Sequence, residues 1–357
     1  MSSNAWFKKG TTSLLRTALL ASMVVCIFSS RGSTAGIDKQ AVNEVQFEPG
    51  KDAFRPNEPL LVKAQVLLSR AHFSSGEIDG KPGPNFSKAL FAFATDRGLK
   101  PTDTLDENVW RELSNEFTEP PLIEYTIEVA DTRGPFAEKI PARMEDMKDL
   151  PSLSFVSPRE LLAEKFHMSE TLLSALNPGK KLESAGERIT VINLHQAKLE
   201  KPVRLEVNKT DQTLKAFGRD DKLLAFYPVT AGSSEKPAPS GRLRVTGIKK
   251  NPTYRYNPKY AFKGVHSTKP FTIKAGPNNP VGAVWIGLSA EGYGLHGTPE
   301  PAKVSKSESH GCIRLTNWDA IELANSIVKG TPVDFVGGEQ YKAARRGGGR
   351  GSPRGRR

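Results

Sequence analysis

The segment at residues 295–315 reads LHGTPEPAKVSKSESHGCIRL and contains two His-Gly pairs, the second followed at once by Cys312. Cysteine reacts as its thiolate, and a nearby imidazole can accept the thiol proton at neutral pH. We therefore predict that a strand ends at His296 and that the loop 298–308 brings Cys312 to it. Gly311 would allow a sharp turn, so that its N–H and that of the cysteine can face a developing oxyanion.

The sequence around this segment has the pattern of a mostly β domain. Over residues 202–336, short runs rich in β-branched and aromatic residues alternate with Asn, Asp, Gly and Pro, which predicts strands separated by turns. The predicted strands are 203–207, 213–217, 222–230, 243–248, 281–288, 293–296 and 331–336. One helix is predicted over Trp318–Lys329, opened by Asn317 and closed by Gly330. These elements indicate a sandwich or barrel-like domain with one helix.

Three motifs upstream of the His-Gly pairs strengthen this interpretation. Thr-Ala-Gly at 230–232 follows a predicted strand, Pro-Ser-Gly at 239–241 reads as a turn, and 276–282 reads GPNNPVG. Together with the two His-Gly pairs, and in this order, they resemble the signature of the YkuD-type L,D-transpeptidases. The resemblance covers about 202–336. It implies a YkuD-like sandwich and an acyl-transfer enzyme that acts on the stem peptides of peptidoglycan.

The resemblance also implies a role for each residue of the motif. Cys312 would attack the carbonyl between the third residue of a stem tetrapeptide and its terminal D-alanine. His296 would take the thiol proton and return it to the leaving amine, and the backbone C=O of Gly297 would orient this imidazole. His310 would shape the cysteine loop, and Gly311 would supply part of the oxyanion site.

Two further residues of the motif are predicted to bind substrate. Arg314 stands where some members of the family have Asn, and its guanidinium could hold a substrate carboxylate through two hydrogen bonds. A structural salt bridge is the alternative for this residue. Ser309 is the second predicted substrate-binding residue.

Other functions are compatible with parts of the pattern. A free cysteine is often an inert buried residue, and two His with one Cys could ligate zinc, although no further ligand at a fitting spacing accompanies them. Hydrolysis of the same acyl-enzyme would make the protein an L,D-carboxypeptidase, and a non-catalytic wall-binding protein could keep the same fold. We expect no metal or organic cofactor, because a thiol, an imidazole and backbone donors suffice for acyl transfer.

Two predicted modules precede the β-rich domain, so the fold class is multidomain α+β. Helical spacing over 59–114 predicts a small three-helix bundle that resembles a peptidoglycan-binding domain. Residues 122–195 predict a β-α-α-β module that resembles LysM, with a long insert at about 131–152. Either module could bind glycan strands, or serve only as a bundle and a spacer.

The two ends of the chain differ from its middle in composition. Residues 1–35 have a basic start followed by a short apolar stretch that holds Cys26, which predicts a secretory signal, and 36–58 reads as a polar leader. Residues 337–357 are rich in Gly and Arg and predict a disordered tail. Much of the net charge of +12 lies at these ends, so we predict no nucleic-acid partner. The tail could contact anionic wall or membrane surfaces, and the protein is expected in the periplasm or cell wall.

Overall fold

The computed structural model describes residues 37–50, 56, 58–233, 236–260, 264–307, 309 and 311–338. The predicted signal segment 1–35 and all but the first two residues of the predicted tail 337–357 lie outside the described residues. The described residues belong to one compact unit. No helix in this part of the chain has the length and apolar character that a membrane span requires.

The predicted polar leader contains a short helix. Helix α1 spans Lys39–Glu44 and is capped by Asp38, whose carboxylate accepts a hydrogen bond from the N–H of Ala41 at 2.8 Å. Val42 is fully buried, and Lys63 donates from the next helix to the backbone carbonyl of Asn43. The prediction of a leader over 36–58 named no helix there. Six residues give too little periodicity for a sequence pattern to identify a helix.

Three helices follow in the region for which three were predicted. They are α2 (Pro59–Arg70), α3 (Pro84–Asp96) and α4 (Glu107–Glu116). Asp106 caps α4 by accepting from the N–H of Val109, and the rings of Phe73 and Phe93 pack edge to face in the core between the helices. Phe226 of the β-rich region is buried in the same core. The helices therefore pack directly onto the sheet.

The region 122–195 contains two paired strands and four short helices. They are β1 (Leu122–Thr126), α5 (Val129–Arg133), α6 (Met144–Met147), α7 (Pro158–Lys165), α8 (Glu170–Leu176) and β2 (Arg188–Ile192), with β1 and β2 antiparallel. β1 stops at Thr126, because the Asp131 carboxylate accepts from the N–H of Glu128 and starts α5. The resemblance of this region to LysM stays a prediction.

Most of the remaining described residues form a nine-stranded sheet. The remaining elements are β3 (Arg204–Asn208), β4 (Thr213–Phe217), β5 (Leu223–Pro228), β6 (Thr230–Ala231), β7 (Gly241–Lys250), β8 (Tyr254–Tyr256), β9 (Phe271–Ile273), β10 (Val284–Leu288), β11 (Gly294–His296), β12 (Ile313–Arg314), α9 (Asn317–Ser326) and β13 (Pro332–Val336). The strand order is β5-β4-β3-β13-β7-β10-β11-β12-β6, and β8 pairs with β9 apart from it.

The long strand β7 belongs to both halves of this sheet. Its residues 241–244 pair with β13, and its residues 245–250 pair with β10. Apolar residues from both halves, among them Leu205, Leu214, Ile286 and Ile313, belong to one core that Leu323 of α9 also enters. The mostly β architecture with one main helix agrees with the prediction for 202–336.

Several predicted boundaries differ from the observed ones. The strand predicted at 281–288 begins only at Val284, because Asn279 forms a turn in which its side-chain oxygen accepts from the N–H of Val281. Helix α9 is capped by Thr316, not Asn317, and ends at Ser326. The β8–β9 pair and β12 were not predicted, since strands of two or three residues carry no readable alternation.

Candidate active site

The predicted nucleophile and base meet where two short strands run parallel. β11 ends at His296, and β12 begins one residue after Cys312, with Leu295 opposite Ile313 and His296 opposite Arg314. Adjacent strands lie about 4.8 Å apart, so this register places the cysteine beside the histidine. Both side chains line one pocket of about 290 Å³. The described residues that line it are Met144, Lys236, Lys249, Pro252, Thr253, Tyr254, Arg255, Pro280, Val281, Trp285, Gly292, His296, Cys312 and Arg314.

The His296 ring is buried and held in one orientation. Its Nδ1 lies 2.7 Å from the carbonyl oxygen of Gly297. A carbonyl can only accept, so Nδ1 carries the hydrogen and Nε2 keeps its lone pair. The Trp285 ring stacks on the imidazole at 5.7 Å between centroids. Burial and the charge of Arg314 lower the pKa of His296 to about 3, so the imidazole is neutral at pH 7 and able to accept a proton.

The Cys312 thiol is also in its neutral form at rest. Burial raises its pKa, while the N–H of Gly294 and the positive charges of Lys236 and Arg314 act in the opposite direction. The sulfur donates weakly to the carbonyl of Gly292 at 3.7 Å. The site therefore holds a neutral thiol and a neutral imidazole, not an ion pair.

Ser309 forms two hydrogen bonds that hold the cysteine loop. Its hydroxyl donates to the carbonyl of Cys312 at 2.6 Å and accepts from the N–H of Gly232 at 2.7 Å. This side chain is buried and both interactions are internal, so its described contacts hold the loop, and the prediction that Ser309 binds substrate stays a prediction. Gly311 has φ of +95°, and a Cβ there would lie 3.0 Å from the Tyr293 ring, so glycine is required at this turn.

Two other predicted site residues have different outcomes. Arg314 lines the same pocket as the thiol, which is compatible with contact to a substrate. His310 lies outside the described residues, and its proposed effect on the cysteine loop stays a prediction. In the part of the chain that the structure describes, no group of three or more His, Cys, Asp or Glu side chains could hold a metal ion.

The sequence predicted that Asn317 opens helix α9, but Thr316 caps this helix and the Asn317 side chain makes its contacts beside the candidate active site. Its side-chain oxygen accepts from the N–H of Ala283 at 2.9 Å, and its amide donates to both carboxylate oxygens of Glu164 at 3.0 Å. A Cβ on Gly282 or Gly297 would lie within 2.2 Å of the same oxygen. Asn317 thus packs the GPNNPVG turn against the backbone that holds His296, and no local pattern distinguishes this role from helix capping.

The residues 153–160 support the same turn from its other side. The N–H of Asn278 donates to the carbonyl of Leu153 at 2.9 Å, and its side chain donates to Glu160 at 2.8 Å. Gly276 packs so closely that a Cβ would lie 2.1 Å from the Leu153 oxygen. Met144 of the neighbouring insert reaches the pocket itself. The region resembling LysM is therefore part of the surroundings of the active site.

Known proteins match the same region of the chain. The YkuD family, described as the L,D-transpeptidase catalytic domain, matches residues 202–335. A protein of Bacillus licheniformis named as L,D-transpeptidase YkuD is 30% identical over 179 residues, which cover 50% of this chain and 92% of the relative. One of Bacillus subtilis named YqjB is 36% identical over 133 residues, 36% of this chain and 67% of the relative. One of Escherichia coli named YbiS is 28% identical over 189 residues, 50% of this chain and 60% of the relative. The chain covers nearly all of the first relative at 30% identity and places His296, Cys312 and Arg314 in one pocket, and it belongs to the YkuD family of L,D-transpeptidases.

Proposed function

We propose that the protein is an exported peptidoglycan L,D-transpeptidase in which Cys312 is the nucleophile and His296 the general base. One observation carries the proposal. The Gly297 carbonyl keeps the histidine hydrogen on Nδ1, so that Nε2 can accept a proton in the pocket that also holds the thiol. An inert cysteine needs neither an oriented imidazole nor an open pocket.

The first half-reaction forms a thioester. The sulfur attacks the carbonyl between the third residue of a stem tetrapeptide and its D-alanine while Nε2 of His296 takes the thiol proton. The N–H groups of Gly311 and Cys312 are proposed to stabilise the oxyanion. The C–N bond then breaks, the imidazolium gives its proton to the leaving amine, and D-alanine departs with the acyl group left on sulfur.

The second half-reaction transfers the acyl group to an amine. His296, neutral again, takes a proton from the acceptor amine as it attacks the thioester, and the released thiolate recovers that proton. An acceptor from a neighbouring stem peptide would give a 3–3 cross-link, and an amine of a protein would give a wall anchor. Water as acceptor would make the reaction an L,D-carboxypeptidase.

The charges in the pocket favour this sequence of steps. Arg314 and Lys236 lie close enough to lower the pKa of the thiol, and the same charges would stabilise an anionic intermediate. Arg314 is proposed to hold the carboxylate of the terminal D-alanine. Ser309 is proposed to position the cysteine loop.

The N-terminal regions are proposed to act with the catalytic domain at the wall. Residues 59–114 and 122–195 would bind glycan strands, and 1–35 would direct export to the periplasm or cell wall. The tail at 337–357 would contact anionic polymers or membrane surfaces. These assignments are supported by the resemblances of the sequence alone.

The test is intact-mass analysis of the mature protein with a muropeptide that bears a tetrapeptide. We expect an acyl-enzyme that lacks D-alanine, together with a cross-linked dimer of the muropeptide. Cys312→Ala should form neither product, and His296→Ala should form the acyl-enzyme at least 100-fold more slowly, as for loss of a general base. Asn325→Ala, on the exposed face of α9, is the matched control and should behave like the unchanged protein.

Loss of D-alanine without a dimer would identify the carboxypeptidase. If no acyl-enzyme forms and Cys312 also resists alkylation in the folded protein, the enzyme proposal is overturned in favour of a wall-binding protein.

A further inference from the structure

The pocket around the thiol has a strong excess of positive charge. Lys236, Lys249, Arg255 and Arg314 line it, and none of its described lining residues is Asp or Glu. A concave site lined by one sign of charge attracts ligands of the opposite sign. The pocket is therefore suited to an anionic peptide with more than one carboxylate.

These four residues lie in two layers. Lys236 and Arg314 are partly buried and act on the thiol directly, because both lower its pKa. Lys249 near the end of β7 and Arg255 in β8 are exposed and form the outer rim of the same pocket. The inner layer is next to the thiol and is assigned above to the carboxylate beside the reacting carbonyl, which leaves the outer layer for a part of the substrate farther from the thiol.

We propose that Lys249 and Arg255 recognise free side carboxylates of the stem peptide, so that the enzyme discriminates against stem peptides in which these groups are amidated. This inference rests on the proposed function. An ammonium and a guanidinium can only donate hydrogen bonds, and an amide offers them one weak acceptor in place of two charged oxygens. The rim is solvent-exposed, so each pair contributes modestly. We expect a preference of about five- to tenfold for the free carboxylates.

The neighbouring residue supplies a matched control. Alternation along β7 points Lys249 and Lys250 to opposite faces, and Lys250 donates to the side chain of Asn325 away from the pocket. Lys249→Gln and Lys250→Gln change the same charge on adjacent exposed residues. Only the first should alter substrate selection.

The test separates binding from reaction. Calorimetry on Cys312→Ala, which cannot be acylated, would compare a synthetic stem tetrapeptide with free side carboxylates and the same peptide with these groups amidated. The free peptide should bind about five- to tenfold more tightly, and high salt should reduce the difference. Adding Lys249→Gln and Arg255→Gln should bring the two affinities within twofold. Adding Lys250→Gln should leave the preference intact.

The proposed function is measured separately, as acyl-enzyme formation by the unchanged protein with both peptides. Absence of any acyl-enzyme would count against the enzyme. Equal binding of the two peptides, a preference that survives removal of both rim charges, or no binding of either peptide would overturn the carboxylate-recognition proposal. A faster acylation by the free peptide that disappears in the Lys249→Gln and Arg255→Gln double variant would support it.

Discussion

Replacement of Asn317 by alanine tests whether contacts far from the thiol set the geometry of the base. The amide links three parts of the molecule: the carboxylate of Glu164 in α7, the carbonyl of Pro277 and the N–H of Ala283. Removing it frees the turn that packs on Gly297, whose carbonyl orients the imidazole. We expect Asn317→Ala to lower both the stability of the protein and its rate of acylation.

The size of the stability loss follows from the three partners. Hydrogen bonds to the two neutral backbone groups contribute about 1 kcal/mol each, and one to a carboxylate contributes about 1.5–3 kcal/mol, giving about 3.5–5 kcal/mol. Burial raises the pKa of Glu164 to about 7, while its bond to Asn317 acts to lower it. The variant should raise this pKa further. Its loss of stability should then be larger at pH 8, where Glu164 is ionised, than at pH 5, by about 1 kcal/mol for each pKa unit.

Urea unfolding at pH 5 and pH 8 measures both quantities, and acyl-enzyme formation measures the effect on the base. Asn325→Ala on the same helix removes an exposed amide that contacts Lys250 and should change stability by less than about 0.5 kcal/mol. A loss below about 1 kcal/mol for Asn317→Ala, or equal losses at the two pH values, would refute the reasoning. An unchanged acylation rate would refute the link to His296.

Four further predictions concern pH and packing. Burial raises the pKa of Glu164 to about 7 and that of Asp319 to about 8. In the unfolded chain both carboxyls have a pKa of about 4, so the folded state is favoured most when both are protonated. Their contribution to the free energy of unfolding is therefore full below about pH 4 and is lost as the pH rises through the folded pKa. Thermal unfolding should accordingly give a lower Tm at pH 8.5 than at pH 5. Alkylation of Cys312 should accelerate up to and beyond pH 9 without a plateau near pH 7, because its pKa is raised; a plateau near neutrality would indicate a resting ion pair. Gly282→Ala should lower stability by more than about 2 kcal/mol in urea titration, since φ is +60° and its Cβ would lie 2.1 Å from an amide oxygen. Ser309→Ala should slow acylation while leaving substrate affinity within about twofold, and a selective loss of affinity would instead support a substrate-binding role.

Much of the catalytic domain could be predicted from the sequence because its signals are local. The strand at 213–217 was predicted with the bounds it has, since alternation and flanking turn residues mark it. The His-Gly and Gly-Cys pairs identified the candidate base and nucleophile, because few residue types can perform acyl transfer at neutral pH. Gly311 predicted a sharp turn, and its positive φ is a backbone conformation that favours glycine.

Other features depend on which distant elements pack together. The Asn317–Glu164 contact joins residues 153 positions apart, and α1 is stabilised by burial of one valine that no periodicity reveals. Ser309 is polar and lies beside the nucleophile in sequence, which suggests substrate contact, yet its side chain points into the protein.

The residue types and their order therefore indicate the candidate chemistry: one thiol, one imidazole and the turns that let them meet. Folding sets the pKa values of this pair, the positive rim of the pocket and the attachment of the N-terminal regions to the turn beside His296. The physical reason is that pKa values and packing depend on burial and on neighbours in space, and the linear order of residues does not specify these until the chain has folded.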